Sequence, residues 1–170
     1  MMMVQTLLQL NKTDREIWLY DTFEGMSPPG NEDVDFRGEK AKTILEKLPK
    51  SAYEKNSWCV GTLEEVQKNL GTIAYPKDKI RYIKGMVEET IPKEIPGQIA
   101  LLRLDTDWYR STAHELEHLF PKLVSGGILI IDDYGHWKGA RKAVDEYFQK
   151  HQIKTILQRI DYSVRVMVKE

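Results

Sequence analysis

Two kinds of hydrophobic pattern alternate along this chain. Short apolar runs, which are typical of buried strands, are separated by stretches in which apolar residues recur every three or four positions, as in amphipathic helices. This alternation favours an α/β fold with a mostly parallel sheet. The predicted strands are residues 17–20, 79–84, 99–104, 128–131, 156–160 and 163–168, and the predicted helices are residues 3–10, 37–48, 62–70, 111–124 and 138–150.

The last two predicted strands differ from the others because only a short turn separates them. Asp161 and Tyr162 lie between them, so we expect an antiparallel hairpin at the carboxyl end of the chain. Residues 24–37 contain SPPGNED, which is rich in turn formers and acids and predicts a loop. The sequence has no repeats, low-complexity tracts or linkers, so residues 1–170 are interpreted as a single domain.

Composition and charge exclude several classes of protein. Lys and Arg number 25 and Asp and Glu 26, giving a net charge of −1, so neither a nucleic-acid nor a membrane partner is expected. The single cysteine, Cys59, excludes an intrachain disulfide, agrees with a reducing compartment and is interpreted as a packed residue. The amino-terminal segment has no basic region or cleavage site typical of a signal peptide, so a cytoplasmic location is expected.

Pairs of acids follow two of the predicted strands. IALLRL runs into Asp105 and Asp107, and ILII runs into Asp132 and Asp133. In a parallel sheet, ligands bind beyond the carboxyl ends of the strands, so neighbouring strands would bring these four carboxylates together. Their mutual repulsion would be relieved by a cation, and hard carboxylate oxygens suit Mg²⁺. The alternative is that these acids cap helices or are solvated; Asp107 could cap the next helix.

A third strand also ends in an acid. Asp21 follows the run IWLY, and in nucleoside-binding α/β folds an acid at this place binds the ribose hydroxyls. A simple turn residue is the alternative.

Two other motifs indicate different enzymes. His114 to His118 matches the zinc-peptidase pattern H-E-x-x-H, but the apolar residues of this helix centre on the opposite face, so the two histidines are expected to point to solvent. Asp105-Thr106-Asp107 is also the pattern of glycosyltransferases that bind a nucleotide-sugar through Mn²⁺. That motif is short and leaves the Asp132-Asp133 pair without a role.

Longer segments resemble the macrocin O-methyltransferase family, whose members methylate sugar hydroxyls in antibiotic biosynthesis. These segments are WLYDTFEGM, IKGMVEETIP, LRLDTDWYRST, LVSGGILIIDDYG and GARKAVDEYF, in the order in which the family has them. The resemblance implies a Rossmann-like class I methyltransferase sheet, S-adenosylmethionine and Mg²⁺ as cofactors, and a sugar-like small-molecule substrate.

The resemblance also implies roles for individual residues. Asp105, Asp132 and Asp133 would be the metal ligands, and Asp107 would be the general base that takes the proton of the substrate hydroxyl. The cofactor ribose would be bound by Asp21, and its adenine would lie near Gly85 and Met86. Residues 24–37 would form a lid over the site.

One family feature is missing from this sequence. Family members begin with a strand and a glycine-rich turn that binds the methionine part of the cofactor, whereas none of the eleven glycines here precedes Gly25. The segment MMMVQTLLQL would correspond to the helix after that turn, so the first strand, normally central in the sheet, is expected to be missing. We therefore expect a truncated product or an internal start, with cofactor binding impaired. A non-catalytic remnant that acts as an oligomerising or interaction domain, for example as a homo-oligomer, stays an alternative.

Overall fold

A computed structural model describes residues 1–47 and 61–170 in two compact units. The first unit consists of residues 1–27 and 61–90, and the second of residues 28–47 and 91–170. Cys59 and the end of the helix predicted over residues 37–48 lie outside the described residues. The assignment of a single domain stays a prediction.

The first unit is built on a pair of parallel strands. β1 and β2 pair in register from Ile17 opposite Ile80 to Asp21 opposite Lys84. A 3₁₀ turn at Lys77–Lys79 leads into β2. The elements of this unit are α1 (Met2–Gln9), β1 (Ile17–Asp21), α3 (Leu63–Gly71), β2 (Ile80–Lys84) and α4 (Val87–Thr90).

An apolar cluster joins the helices and strands of the first unit. Its buried members come from the amino-terminal ends of β1 and β2, from helices α1 and α3, and from the loop before β2. Helix α3 begins at Leu63, one residue after the predicted start, with Thr62 as its N-cap. The Thr62 hydroxyl accepts the N–H of Glu65 and the Glu65 carboxylate accepts the N–H of Thr62, each at 3.2 Å. The buried residues are Val4, Ile17, Leu70, Tyr75 and Ile80.

The second unit holds a four-stranded sheet in the order β3-β4-β6-β5. β3 and β4 are parallel, whereas β6 runs antiparallel to both β4 and β5. This confirms the predicted α/β fold with a carboxyl-terminal antiparallel hairpin. The elements are α2 (Ala41–Lys47), β3 (Ile99–Leu104), α5 (Tyr109–Leu119), β4 (Leu123–Ile131), α6 (Lys138–Lys150), β5 (Gln158–Arg159) and β6 (Arg165–Val168).

The two faces of this sheet differ in burial. Side chains on one face, such as Leu104 and Leu129, are at most 2% exposed and belong to the core that includes Leu116 of α5 and Val144 of α6. On the other face, three apolar side chains lie side by side on adjacent strands yet are 37–56% exposed. We call this set the apolar row, and its members are Leu101, Ile128 and Val168.

Several element boundaries differ from the sequence prediction. Helix α5 ends at Leu119 instead of residue 124, because Pro121 lies in a 3₁₀ turn, and β4 begins at Leu123 instead of residue 128. Helix α2 begins at Ala41 instead of residue 37, because Gly38 has φ +95° and the Asp35 carboxylate accepts the N–H groups of residues 37 and 39.

The carboxyl-terminal hairpin is also shorter than predicted. β5 is limited to Gln158–Arg159, and β6 begins at Arg165. The carboxylate of Asp161 accepts the backbone N–H groups of Ser163 and Val164 at 2.7 and 2.8 Å. These bonds form a turn where the sequence pattern predicts the start of a strand.

Candidate active site

The acids that follow β3 and β4 meet at one edge of the four-stranded sheet. Leu104 lies opposite Ile131 in the parallel register, so the residues after them leave the sheet side by side. The N–H of Asp132 donates to the carbonyl of Leu104 at 3.0 Å, which continues the pairing for one residue. One carboxylate oxygen from each of Asp105, Asp132 and Asp133 lies within 4.8 Å of the other two. The predicted convergence of these acids is confirmed.

Arg103 binds two of these three carboxylates. Its guanidinium lies 2.7 Å from Asp105 and 3.0 Å from Asp132. Burial alone would lower the pKa of the guanidinium, but the two carboxylates outweigh it and raise the pKa above its usual value. Arg103 was not among the predicted site residues. Its position on β3, two residues before Asp105, could have predicted this contact, because alternate residues of a strand lie on the same face.

Crowding of like charges perturbs the acids themselves. Burial, followed by the charges of Asp107, Asp105 and Asp132, raises the pKa of Asp133 to about 8. Burial and a hydrogen bond with Asp132 raise the pKa of Asp105 to about 7, although Arg103 opposes the shift. Without a cation, this cluster therefore retains protons at neutral pH.

Asp107 has an unusual backbone conformation and a fixed side chain. Its φ of +65° lies in the left-handed region, which costs about 1 kcal/mol or more for a residue other than glycine. The indole N–H of Trp137, a residue 3% exposed, donates to Asp107 Oδ1 at 2.9 Å. Burial raises the pKa of Asp107 to about 6, and the bond from Trp137 limits the rise. Sequence reasoning missed Trp137, although a buried indole N–H needs an acceptor.

Asp33 fixes the segment before α2 to the start of α5. This side chain is 1% exposed; its Oδ1 accepts the N–H of Tyr109 at 2.8 Å, and its Oδ2 accepts the N–H of Gly30 at 2.6 Å. The amino terminus of α5 is thus capped by a distant residue instead of by Asp107, the alternative that the sequence left open. A Cβ at Gly139 would overlap Asp33, so α6 approaches closely here. The role of residues 24–37 as a lid stays a prediction.

The residues expected to bind the cofactor lie together in the first unit. The N–H of Gly85 donates to the carbonyl of Asp21 at 3.0 Å, at the carboxyl ends of β1 and β2. Gly85 has φ +138°, and a Cβ there would lie 2.9 Å from the Thr90 side chain, so the turn requires glycine. Asp21 Oδ1 accepts the N–H of Phe23 at 2.6 Å, and the carbonyl of Met86 accepts the Thr90 hydroxyl at 3.0 Å.

The zinc-peptidase motif does not form a ligand set. His114 and His118 are half-buried with ring centroids 4.3 Å apart, so the expectation that they point to solvent is wrong. Glu115 is 5% exposed and accepts the Thr106 hydroxyl at 2.8 Å. Among residues 1–47 and 61–170, the acids Asp105, Asp132 and Asp133 are the one group of three or more side chains placed to share a metal ion.

Over the same described ranges, no helix has the length and apolar character needed to cross a membrane.

The sheet topology and the acids at its strand ends define a class I methyltransferase fold. A solved structure titled "Structure of the O-methyltransferase NovP" is similar with a TM-score of 0.80 and 29% identity, and the match covers 98% of this chain and 65% of that one. The family model described as Macrocin-O-methyltransferase (TylF) matches residues 1–169. The chain belongs to this family.

The curated relatives of this chain are O-methyltransferases. The chain is 34% identical, over 88% of its length and 53% of the relative's, to an 8-demethyl-8-(2,3-dimethoxy-alpha-L-rhamnosyl)-tetracenomycin-C 4'-O-methyltransferase of Streptomyces olivaceus. It is 31% identical, over 87% of its length and 53% of the relative's, to a demethyldecarbamoylnovobiocin O-methyltransferase of Streptomyces niveus. The chain thus spans about half the length of these relatives.

Proposed function

We propose that this protein is a Mg²⁺-dependent O-methyltransferase, which moves a methyl group from S-adenosylmethionine to a sugar hydroxyl of a small-molecule glycoside. The observation that carries the proposal is the convergence of three carboxylates at the ends of two parallel strands, beside the fixed carboxylate of Asp107. Membership of the family supports the reaction class. The names of the relatives, which include a rhamnosyl-tetracenomycin, support a glycoside acceptor.

The donor set of the acidic cluster fits Mg²⁺. Asp105, Asp132 and Asp133 offer hard oxygen ligands. Burial, together with the neighbouring carboxylates, raises the pKa values of Asp105 and Asp133, so the metal-free cluster disfavours the ionised form of all three acids. A divalent ion relieves the repulsion among these carboxylates more fully than a proton does. When bound, Mg²⁺ would lower the pKa of the acceptor hydroxyl.

Asp107 is the proposed general base. Its carboxylate would accept the proton of the acceptor hydroxyl. S-adenosylmethionine, when bound, would supply the methyl group to that oxygen and leave as the neutral thioether S-adenosylhomocysteine. A pKa of about 6 leaves Asp107 mainly ionised at neutral pH and close enough to that pH to hold the proton. The bond from Trp137 keeps the carboxylate in one orientation. Catalysis would come mainly from positioning.

The proposed cofactor contacts lie in the first unit. Asp21 would bind the ribose hydroxyls, and the turn at Gly85 and Met86 would lie against the adenine. The shared position of Asp21 and Gly85 at the ends of adjacent parallel strands supports this, because nucleosides bind at that edge of such sheets.

The test is a set of single Asp-to-Asn exchanges in the full chain. We expect D107N to abolish methyl transfer to p-nitrophenyl α-L-rhamnopyranoside, followed by mass spectrometry, while Mg²⁺ uptake measured by calorimetry is kept. D133N should weaken Mg²⁺ uptake. The control is D78N, which makes the same change at an exposed acid in the 3₁₀ turn before β2. Turnover that survives in D107N would exclude Asp107 as the base, and a wild-type chain that binds neither S-adenosylhomocysteine nor Mg²⁺ would refute the proposal.

A second candidate function is that of a non-catalytic, self-associating domain. The apolar row favours it, because its three side chains are 37–56% exposed and occupy adjacent strands. Such a row can pack against its own copy across a two-fold axis. Light scattering should then give the mass of a dimer. V168D should reduce that mass, whereas I156D, which changes an exposed isoleucine outside the apolar row, should not. A dimer that does not bind S-adenosylhomocysteine would favour this function over the enzyme.

A further inference from the structure

Three rings of the second unit, two of them exposed, lie together outside the acidic site. Phe36 is 48% exposed and Tyr162 58%, and His136 is half-buried and packs against both. The ring centroids are 5.6 Å apart for Phe36 and His136, 6.2 Å for Phe36 and Tyr162, and 6.0 Å for His136 and Tyr162. These three residues, which we call the ring cluster, come from three separate segments of the chain.

Backbone contacts hold the Tyr162 segment against the loop that carries His136. The N–H of Gly135 donates to the carbonyl of Ser163 at 2.9 Å, and the Ser163 hydroxyl donates to the carbonyl of Asp132 at 2.7 Å. A Cβ at Gly135 would overlap the carbonyl of Tyr162, so glycine permits this approach. The position of Tyr162 relative to His136 is therefore fixed by the main chain.

The Phe36 segment is held to the same loop from the other direction. Asp35 forms a β-bridge with Trp137, and the N–H of Lys138 donates to the carbonyl of Val34 at 2.8 Å. The guanidinium of Arg37 lies 5.0 Å from the Phe36 ring centroid. The rings are thus arranged before any ligand arrives, which lowers the entropy cost of binding.

The ring cluster continues directly into the acidic site. The Trp137 ring packs edge-on against His136, with centroids 4.7 Å apart, and its N–H donates to Asp107. One indole therefore separates the ring cluster from the carboxylate, a separation on the order of 10 Å given the usual spacing of packed rings. In a glycoside whose sugar hydroxyl reaches Asp107, the ring attached to that sugar would lie at about this distance from the carboxylate. The reason is that a hexose ring is about as wide as the spacing between two packed rings.

We infer that the ring cluster is the subsite for the part of the acceptor next to the methylated sugar, and that it binds a flat, apolar or aromatic ring. This inference rests on the proposed glycoside methyltransferase function. Aromatic faces and edges supply contacts to such a ring. The Tyr162 hydroxyl and the His136 Nδ1, which are 3.3 Å apart, supply polar groups that orient its substituents.

The experiment compares two probes on the full chain by ligand-observed NMR titration. p-Nitrophenyl α-L-rhamnopyranoside carries an aromatic ring beside the sugar, and methyl α-L-rhamnopyranoside does not. We expect the aromatic glycoside to bind the wild type at least about fivefold more tightly, as one or two ring contacts provide. F36A and Y162A should each remove most of this preference. I156A, which removes an 87%-exposed apolar side chain from the same unit, should keep it.

The possible outcomes distinguish a failure of the proposed subsite from a failure of the proposed enzymatic function. Equal affinity of the wild type for both probes, no binding of either probe, or an unchanged preference in folded F36A and Y162A would overturn the inference. Melting curves and Mg²⁺ titrations of the same variants show whether they are folded, and F36L and Y162L replace any alanine variant that is not. If the aromatic preference is present while S-adenosylhomocysteine and Mg²⁺ do not bind, the ring cluster binds aromatic rings but the proposed methyltransferase function fails.

Discussion

Binding of Mg²⁺ to the acidic cluster should release protons in an amount that depends on pH. In the metal-free protein, the pKa is about 8 for Asp133 and about 7 for Asp105. At pH 7 the two groups together hold about 1.4 protons, with about 0.9 on Asp133 and about 0.5 on Asp105. A metal ligand must be deprotonated, so Mg²⁺ displaces these protons. At pH 9 the same groups hold only about 0.1 proton.

The sign and size of the affinity change follow from the same linkage. Because protons compete with the metal, raising the pH strengthens binding. Between pH 6.5 and 7.5 the association constant should rise about 25-fold, and above pH 8.5 it should be nearly constant. Calorimetric titration with MgCl₂ in two buffers of different ionisation enthalpy measures both the proton count and the affinity.

Two variants make this test specific. D133N removes the carboxyl group that holds most of the displaced protons, and it also removes a negative charge beside Asp105. The number of protons released on Mg²⁺ binding at pH 7 should therefore fall below about 0.5. The exposed control D78N should keep the release at about 1.4 protons. If the wild type binds Mg²⁺ at pH 7 with a release below about 0.3 proton, the crowded-acid account of this site is wrong.

Three further predictions concern the neighbouring residues. The folded-state pKa values of Asp105, Asp107 and Asp133 exceed the ordinary value of 3.8. Their contribution to stability is therefore complete below pH 3.8 and is lost as the pH rises through about 6 to 8. The melting temperature in EDTA should fall between pH 5.5 and about 8.5, and excess MgCl₂ should restore it. W137F removes the donor that lowers the Asp107 pKa, so the acid limb of the pH–rate profile should move up by about one unit, whereas W18F should leave it unchanged. D33A removes a buried acceptor of two N–H groups and should lower the free energy of unfolding by about 1–3 kcal/mol in urea titrations, with a smaller loss in D33N.

Local sequence patterns predict the elements well where one periodicity dominates. β3 and α6 have the predicted bounds, because an apolar run interrupted only by Arg103 occupies β3 and an amphipathic helix pattern occupies α6. The junction between α5 and β4 fails because Leu123 and Val124 continue the helical spacing. Pro121 instead turns the chain, and Leu123 pairs with Ile99 of β3. That pairing partner lies 24 positions earlier and is invisible to a local pattern.

The candidate site divides in the same way. The three clustered acids were predictable, because each directly follows a strand and parallel strands end at one edge. Trp137 and Asp33 were not, because their roles depend on contacts across 30 and 76 positions, to Asp107 and to the N–H of Tyr109. Such partners follow from tertiary packing, which residue types and spacing do not encode on their own.

Arg103 offsets part of the negative charge of the cluster. Its guanidinium pairs with Asp105 and Asp132, and its charge opposes the rise in the Asp105 pKa that burial causes. A single positive charge offsets one carboxylate of three, so the metal-free cluster keeps an excess of negative charge. Protons reduce that excess at neutral pH, and a divalent cation can offset it completely. The fixed guanidinium therefore allows the acids to lie together in the metal-free protein. The negative charge that it leaves uncompensated favours a divalent ion over a monovalent one.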